Sequence, residues 1–488
     1  MARRRLPRGG RAVVAGALLV TVAVLAAASA VAISGAEPAP ALAASSIDTV
    51  VEPGVPDAVL VSRTLFASSP SAVVVAAVAD PADQKSAADL ARSGGVPMFR
   101  VDAATADRIG AELDRLGVEQ AVRVGPPTVE LNVPVTTDRV AVAGGASSTG
   151  RGAVILLSGD RTDAVATAEA AGAHGVSMPA PDPRSSGEAV RLLAELPGAP
   201  IRGIGAGFGT AADLAEQVAA ARTVPELPGG GQLLFPGRRV VALYGSPGAP
   251  ELGPLGRASI PATIARTRAL ADKYRRLSPV PVVPGFEIIV TVASADPGPG
   301  GKYTSALDVA TVRPWVDAAR RAGVYVTLDL QPGRMDFLTQ AKMYRELLLQ
   351  PHVGLALDPE WRLKPGQKHL EQIGAVEPAE VNRVSTWLAD LVKARKLPQK
   401  ALVLHQFDAD MLGDRSLLDT RRPELAFLIH ADGHGVPAVK METWNRIVTG
   451  LPPRTWLGWK NFYTEDKPMF SPRRTMAVEP VPWFVSYQ

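Results

Sequence analysis

Cysteine is absent from all 488 residues of the sequence. This absence excludes disulfide bonds, thiolate metal sites, a cysteine nucleophile and a lipid anchor attached through cysteine. A protein exported without disulfides depends on its hydrophobic core for stability. Hydrophobic residues make up 47% of the chain and charged residues 20%, which is typical of a globular protein with enough length for two or three domains.

Outside its N-terminus the sequence also has no excess of basic charge. The formal net charge is +4, but residues 1–11 contain five arginines and no acidic residue, so the remainder is near −1. A nucleic-acid-binding protein is expected to keep a basic patch outside such a leader. The charge distribution therefore argues against a nucleic-acid partner.

The N-terminal segment has the composition of an export signal. The arginines precede an apolar run from Ala12 to about Ala36, which is followed by the residues EPAPALAASS. This order predicts a signal peptide over residues 1–44, with cleavage for example after Ala43. The apolar run could also span a bilayer of roughly 30 Å, so an uncleaved membrane anchor is the alternative. Both interpretations place the rest of the chain outside the membrane, associated with the cell envelope.

Residues 45–225 contain a pattern that occurs twice, in Ala72–Gly125 and in Ala153–Gly205. Each copy has an apolar strand, an Ala-rich helix, a short strand, a second helix and a last strand that ends at glycine. The offset of about 80 residues is too long for a solenoid repeat, and it predicts two small three-layer α/β units. Neither copy has the G-x-G-x-x-G turn of a dinucleotide-binding loop.

The first of these copies resembles a known family, the type 2 cell wall-binding repeat of Gram-positive bacteria. The stretches that carry the resemblance are DAVLVSRTLFASSPSAVVVAAVAD, LARSGGVPMF and IGAELDRLGVEQAVRVG. The second copy matches loosely, and the chain has two copies where the family usually has three. The resemblance implies non-covalent binding to an anionic wall polymer, a polysaccharide or peptidoglycan, and it identifies no binding residue.

The composition changes after the PGGG linker at residues 228–231. All seven tryptophans lie at or after Trp315, and all seven tyrosines lie at or after Tyr244. Aromatic side chains supply large buried surfaces and can stack on sugars. Residues 226–488 are therefore predicted to form a separate domain.

This C-terminal region has eight apolar segments that predict strands, with helical patterns between most of them. They are Arg239–Tyr244, Phe286–Ala293, Val324–Leu330, Val353–Leu357, Ala401–Gln406, Leu425–His430, Thr455–Lys460 and Trp483–Tyr487. The helices are predicted over Pro261–Leu277, Val309–Ala322, Met335–Leu349, Pro378–Arg395 and Val436–Val448. This alternation predicts a (β/α)8 TIM-like barrel, with an open doubly wound sheet as the alternative. The seventh connection, residues 461–482, is predicted to lack a helix.

Polar residues cluster where these strands end, which is the rim that carries the chemistry of such barrels. The central stretch is VGLALDPEWRL, residues 353–363, in which an apolar strand runs into Asp358 and Glu360 on one face. The candidate catalytic residues are Glu360, Asp358, Asp329 and Asp432. The candidate substrate-binding residues are Trp361, His405, Gln406, His430, His434, Trp459, Lys460, Asn461, Tyr463 and Tyr487.

Glycoside hydrolysis is the first functional interpretation of this rim, which resembles the glycoside-hydrolase superfamily in general. Such enzymes place two carboxyl groups beside the glycosidic bond. Glu360 is the acid/base candidate, and one of the three aspartates is its partner. One departure is that Lys460 and Asn461 end the seventh strand, where many such enzymes have a glutamate. A structural role for Glu360, in a salt bridge to Arg362, Arg334 or Lys460, is the competing interpretation.

Two further interpretations stay open at this point. A zinc-dependent hydrolase could use His405, His430, Asp432 and His434 as ligands, although no H-x-H follows the first strand. A non-catalytic glycan-binding or scaffold protein of the envelope would use the aromatic rim and would tolerate loss of Glu360. The hydrolase and scaffold interpretations require no cofactor.

Overall fold

The computed structural model describes residues 42–142 and 144–488, which belong to one compact unit. The predicted leader lies almost entirely outside these residues. None of the described helices combines the length and the apolar character that crossing a bilayer requires.

The N-terminal region contains two four-stranded parallel sheets in which three strands have the same order, whereas the fourth follows these three in the chain in the first sheet and precedes them in the second. The first has the order β4-β3-β5-β6 and the second the order β9-β8-β10-β1. The strands are β1 Ile47–Val50, β2 Phe66–Ser68, β3 Ser71–Ala76, β4 Met98–Val101, β5 Gln120–Val124, β6 Val135–Thr136, β7 Ser147–Ser148, β8 Val154–Ser158, β9 His174–Met178 and β10 Ile201–Ile204. The repeated sequence pattern thus corresponds to a repeated strand order, and β2 pairs with β7 in an antiparallel ribbon.

Six helices accompany these sheets. They are α1 Asp57–Leu65, α2 Pro81–Gly94, α3 Ala106–Leu116, α4 Thr162–Ala170, α5 Gly187–Glu195 and α6 Ala211–Thr223. The side chains of Asp80, Ser186 and Thr210 cap the N-termini of three of them, α2, α5 and α6. The predicted stop of α3 at Gly117 is confirmed, because this glycine adopts φ 70°, which costs residues with a Cβ free energy. The two units share a core that contains Phe99 and Leu113 of the first and Ile155 of the second.

The C-terminal region is a closed barrel of eight parallel strands. They are β11 Arg239–Gly245, β12 Val282–Ala293, β14 Tyr325–Leu330, β15 Val353–Leu357, β16 Lys400–Gln406, β17 Leu425–Ala431, β18 Trp456–Asn461 and β19 Phe484–Tyr487. A short strand, β13 Thr304–Ala306, pairs antiparallel with the end of β12. Closure is shown by β11, which pairs with both β12 and β19. The TIM-like barrel is therefore confirmed, and the open sheet is wrong.

The barrel helices are close to the predicted ones, with two differences. They are α7 Ile260–Arg275, α8 Val309–Ala322, α9 Phe337–Met343, α10 Arg345–Leu348, α11 Pro378–Ala394, α12 Pro437–Ile447 and α13 Pro472–Thr475. The helix predicted over residues 335–349 is divided at Tyr344. The seventh connection does contain a helix, the short α13, whose first turn is capped by the Ser471 hydroxyl, which accepts from the backbone N–H of Arg474.

Side chains alternate along the barrel strands between an outer and an inner layer. Most outer side chains are apolar and pack under the helices, as Leu402, Leu404 and Ile429 do. The lower part of the interior is apolar and contains Val240, Val403 and Phe484. Above this apolar part, each of the eight strands contributes a polar inner residue, at or near the C-terminal end of every strand except β12, where it lies in the middle. These eight residues, called the polar layer below, are Tyr244, Glu287, Asp329, Asp358, His405, His430, Lys460 and Ser486, and all are buried.

Candidate functional site

A cavity of about 320 Å³ opens above the polar layer, at the C-terminal rim of the barrel. Its charged lining includes Asp358, Glu360, Asp432 and Lys460. Its aromatic lining consists of Tyr244, Trp361, Phe407 and Phe462. A concave site with aromatic walls and a few converging polar groups is the usual form of a small-molecule or sugar site.

The turn after β15 directs two carboxyl groups into this cavity. A 3-10 turn, Pro359–Trp361, begins directly after Asp358, and Pro359 favours it because its φ is already fixed. The backbone N–H of Gly374 donates to the Glu360 carbonyl at 2.8 Å and holds the turn in place. A Cβ at residue 374 would lie 2.3 Å from that carbonyl oxygen, so the contact requires glycine.

The Glu360 carboxyl group has no hydrogen bond or ion pair within the part of the chain that the structure describes. The expected partner Arg362 instead pairs with Glu380 at 3.2 Å, and Arg334 lies 4.4 Å from the centroid of the Tyr303 ring. Burial and the nearby charge of Asp432 raise the pKa of Glu360 to about 7. Glu360 therefore faces the cavity as an acid that keeps its proton close to neutral pH.

Asp432 belongs to a buried network centred on His405. The His405 Nδ1–H donates to Asp432 Oδ2 at 2.8 Å, and the opposite Nε2–H donates to Glu287 Oε1 at 3.0 Å. Burial opposes charge on His405, but Glu287 and Asp432 outweigh it and raise its pKa well above the ordinary value. Burial likewise opposes ionisation of Asp432, yet the hydrogen bond and charge of His405 lower its pKa. An imidazolium between two carboxylates is the state that this geometry favours.

The pKa values of Asp329 and Asp358 are shifted in the opposite direction, upward. The Tyr244 hydroxyl donates to Asp329 Oδ2 at 2.8 Å, but burial dominates and raises the pKa of Asp329. Burial, together with the charge of Asp329, raises the pKa of Asp358 well above its usual range. One oxygen of each, the Oδ1 atom, is buried without a hydrogen bond. Burial therefore favours the protonated form of each group, which can donate a hydrogen bond.

His430 occupies the interior beside His405, and only a glycine makes room for it. A Cβ at Gly458 on β18 would lie 2.6 Å from the His430 ring. Ligand atoms of Glu287, His405 and His430 lie within 4.8 Å of one another, which is a spacing that could surround a metal ion. Both ring nitrogens of His405 already bind carboxylates, however. The predicted ligand His434 is exposed, with its ring next to Phe462.

A buried ion pair between Lys440 and Asp466 connects two loops at the rim. The Lys440 ammonium group lies 3.0 Å from Asp466 Oδ2 and also donates to the carbonyls of Gly433 and Lys460. Asp466 accepts from the backbone N–H groups of Gly435 and Phe462. This pair ties the loop after β17 to the loop after β18, and it fixes the walls of the cavity.

The structure brings together only some of the predicted site residues. Six of them line the cavity: Asp358, Glu360, Trp361, Asp432, His434 and Lys460. Asp329, His405 and His430 lie in the interior beneath it. Four others point outward, away from the cavity: Gln406, Trp459, Asn461 and Tyr487. Trp459 donates to Asn461 and Tyr487 bonds to Tyr274. Tyr463 stays on the rim, 38% exposed.

The outward direction of four predicted residues follows from strand alternation. Lys460 points inward, so its neighbours Trp459 and Asn461 on β18 must point toward the helices. The same rule sends Gln406 outward because His405 points inward. Gln406 donates to the carbonyls of Asp408 and Ala409 and shapes the loop rather than the cavity.

Several site residues were not among the predicted ones. Glu287 is not among the predicted site residues because those lie at or near strand exits, whereas Glu287 lies in the middle of β12, Val282–Ala293. Its signal is present in the sequence, since it is the single charged residue of the strand VVPGFEIIVTVA, and an isolated acid in such a strand indicates a partner inside the fold. Gln331, Phe407 and Phe462 also line the cavity and follow strand ends.

The fold and the site define a (β/α)8 barrel whose C-terminal rim carries a cavity lined by paired carboxyl groups, a lysine and aromatic rings. Comparisons with protein-family models, with curated proteins and with solved structures found no match for this chain. The resemblance of the N-terminal region to wall-binding repeats therefore stays a prediction.

Proposed function

We propose that the protein is a glycoside hydrolase of the cell envelope. The observation that carries the proposal is the pair of cavity carboxyl groups with opposite pKa shifts, Glu360 raised and Asp432 lowered. A protonated acid beside an ionised carboxylate is the arrangement that glycoside hydrolysis requires. Both groups lie at the rim where barrel enzymes carry their chemistry.

Each residue has a definite role in this proposal. Glu360 protonates the leaving oxygen of the scissile bond. Asp432 either attacks the anomeric carbon as nucleophile, after which water hydrolyses the glycosyl-enzyme bond, or acts as base and takes a proton from the water that attacks that carbon. His405 holds Asp432 in its ionised state and in one orientation, so it is a positioning residue. Trp361 and Phe462 provide aromatic surface for the sugar ring. Asp358, which keeps its proton, donates a hydrogen bond to a substrate oxygen.

The N-terminal region supports the proposed substrate and location. The N-terminal region is proposed to hold the protein on a cell-wall polysaccharide or on peptidoglycan, outside the membrane. The support is the resemblance of the first α/β unit to wall-binding repeats and the basic and apolar composition of residues 1–36.

The proposal predicts the pH dependence of cleavage. Activity needs the protonated form of Glu360, so kcat/KM is expected to fall as the pH rises through about 7, by about tenfold per pH unit well above that value. A rate profile between pH 5 and pH 9 with purified protein measures this limb. A rate that stays constant from pH 7 to pH 9 would remove Glu360 from the role of acid.

A metal-dependent hydrolase is the alternative, favoured by the spacing of Glu287, His405 and His430. It predicts that a chelator abolishes cleavage and that added Zn²⁺ restores it. The acid–base proposal predicts equal cleavage rates before and after chelation and dialysis. The non-catalytic alternative predicts sedimentation with the wall and no cleavage under either condition.

A further inference from the structure

Three lysines are buried in the barrel, and one of them differs from the other two. Lys400 donates to the carbonyls of Gln350 and Val353 at 2.8 and 2.6 Å. Lys440 binds Asp466 and two carbonyls. The ammonium group of Lys460 has neither a hydrogen bond nor an ion pair among the described residues, although Lys460 is only 3% exposed. Buried ammonium groups normally have acceptors.

The position of Lys460 directs its free donors into the cavity. Its Nζ lies 3.6 Å from the centroid of the Tyr244 ring and 5.2 Å from that of Phe462. A ring face attracts the ammonium charge but accepts at most one of its three N–H groups well. Lys460 lines the cavity, so the remaining N–H groups are available to a molecule bound there.

Against the effect of burial, the Lys460 charge helps to lower the pKa of the nearby carboxyl groups Glu287 and Asp432, but neither group accepts a hydrogen bond from its ammonium group. Asp432 and Glu287 are both hydrogen-bonded to His405. Asp329 accepts from Tyr244, and the Glu360 carboxyl group is directed into the cavity without an ion pair. Burial raises the pKa of both Asp329 and Glu360, which disfavours the charged form of each.

We propose that Lys460 forms an anion subsite at the floor of the cavity, which binds the carboxylate of an acidic sugar residue. The proposal rests on the glycan-directed function above and adds the substrate class, a polymer containing uronic or similarly acidic sugars. A charge-assisted hydrogen bond from ammonium to carboxylate is stronger than one to a neutral hydroxyl group. Lys460 is then a specificity-determining residue, whereas Glu360 is the acid of the reaction.

The test measures binding of two sugars that differ only in the charged group, glucuronate and glucose, by NMR titration at pH 7. We expect the unmodified protein to bind glucuronate about tenfold more tightly than glucose. Lys460→Met should remove this preference while glucose binds as before, and Lys460→Arg should keep part of it. Lys302→Met, at an exposed position outside the cavity lining, should change neither affinity.

Failure of this inference and failure of the hydrolase proposal give different results. Equal affinities in the unmodified protein, absence of binding by both sugars, or a preference that survives in Lys460→Met would each overturn the anion subsite. None of these results depends on cleavage. Glu360→Gln, which tests the hydrolase, should keep the preference for glucuronate because the Lys460 ammonium group is unchanged.

Discussion

Replacing Glu360 by glutamine is expected to lower kcat for glycan cleavage by about 10²- to 10⁴-fold, the range that general acid catalysis contributes. Glutamine keeps the size and the hydrogen-bonding shape of the side chain but has no proton to give to the leaving oxygen. Because Glu360 forms no hydrogen bond or ion pair within the described residues, the substitution removes no partner from the fold. We therefore expect KM and the melting temperature to change little.

The matched control for this variant is Glu465→Gln. Glu465 is an exposed glutamate in the loop after β18, and its carboxylate accepts from Thr464 at 2.8 Å. It lies outside the cavity lining, so its substitution should leave the rate within about twofold, since surface changes usually have small effects. A loss of less than tenfold in Glu360→Gln, or an equal loss in the control, would show that the chemistry does not depend on Glu360.

The second large effect is expected on stability, from His405→Ala. His405 is fully buried and separates two buried carboxylates, Glu287 and Asp432. Removing it leaves both without their charged partner, and breaking one buried ion pair in this way typically costs about 3–5 kcal/mol. We expect the free energy of unfolding in urea to fall by about that amount.

The control for this substitution is His434→Ala, which removes a second histidine of the same rim. His434 is exposed, so its loss should change the free energy of unfolding by about 0.5 kcal/mol or less. Equal destabilisation by the two variants would contradict the central place of His405 in the polar layer. Glu287→Gln provides a further comparison, because it keeps one hydrogen-bond acceptor for His405.

The barrel could be predicted because its strands have a strong and simple signal. Segments such as Val353–Leu357 and Leu425–Ala431 are short, aliphatic and separated by helical patterns, and that alternation has few structural solutions. The sequence also predicted that Asp358, Glu360 and Asp432 lie near one another, since they follow strand ends, and all three line the same cavity. Closure of the barrel depends on pairing between β11 and β19, which are far apart in sequence.

The sequence predicted less well which side chains of each strand point into the barrel. A prediction of strand exits groups neighbours such as Trp459, Lys460 and Asn461, whereas alternation sends only Lys460 into the barrel. The phase of that alternation is set by packing, here by Gly458, which leaves space for His430. Glu287 could not be predicted for a different reason. It lies in the middle of β12, whereas the predicted site residues lie at or near strand ends.

Partners of charged residues were the least predictable feature. Arg362 follows Glu360 closely in sequence, yet it pairs with Glu380 from α11. Such pairs depend on how a loop and a helix meet in space, and sequence distance carries little information about that. The sequence does not show that the carboxyl group of Glu360 and the ammonium group of Lys460 lack partners among the described residues. The structure shows it, because it gives the partners of every neighbouring charge.

The most direct test of the central claim is the release of new reducing ends from isolated cell-wall polysaccharide by the purified protein. The account predicts soluble fragments and new reducing ends with the unmodified protein, and neither with Glu360→Gln, while both proteins sediment with the wall. Sedimentation without release by the unmodified protein would contradict the hydrolase and leave a glycan-binding protein. Equal release by both proteins would place the chemistry at a group other than Glu360.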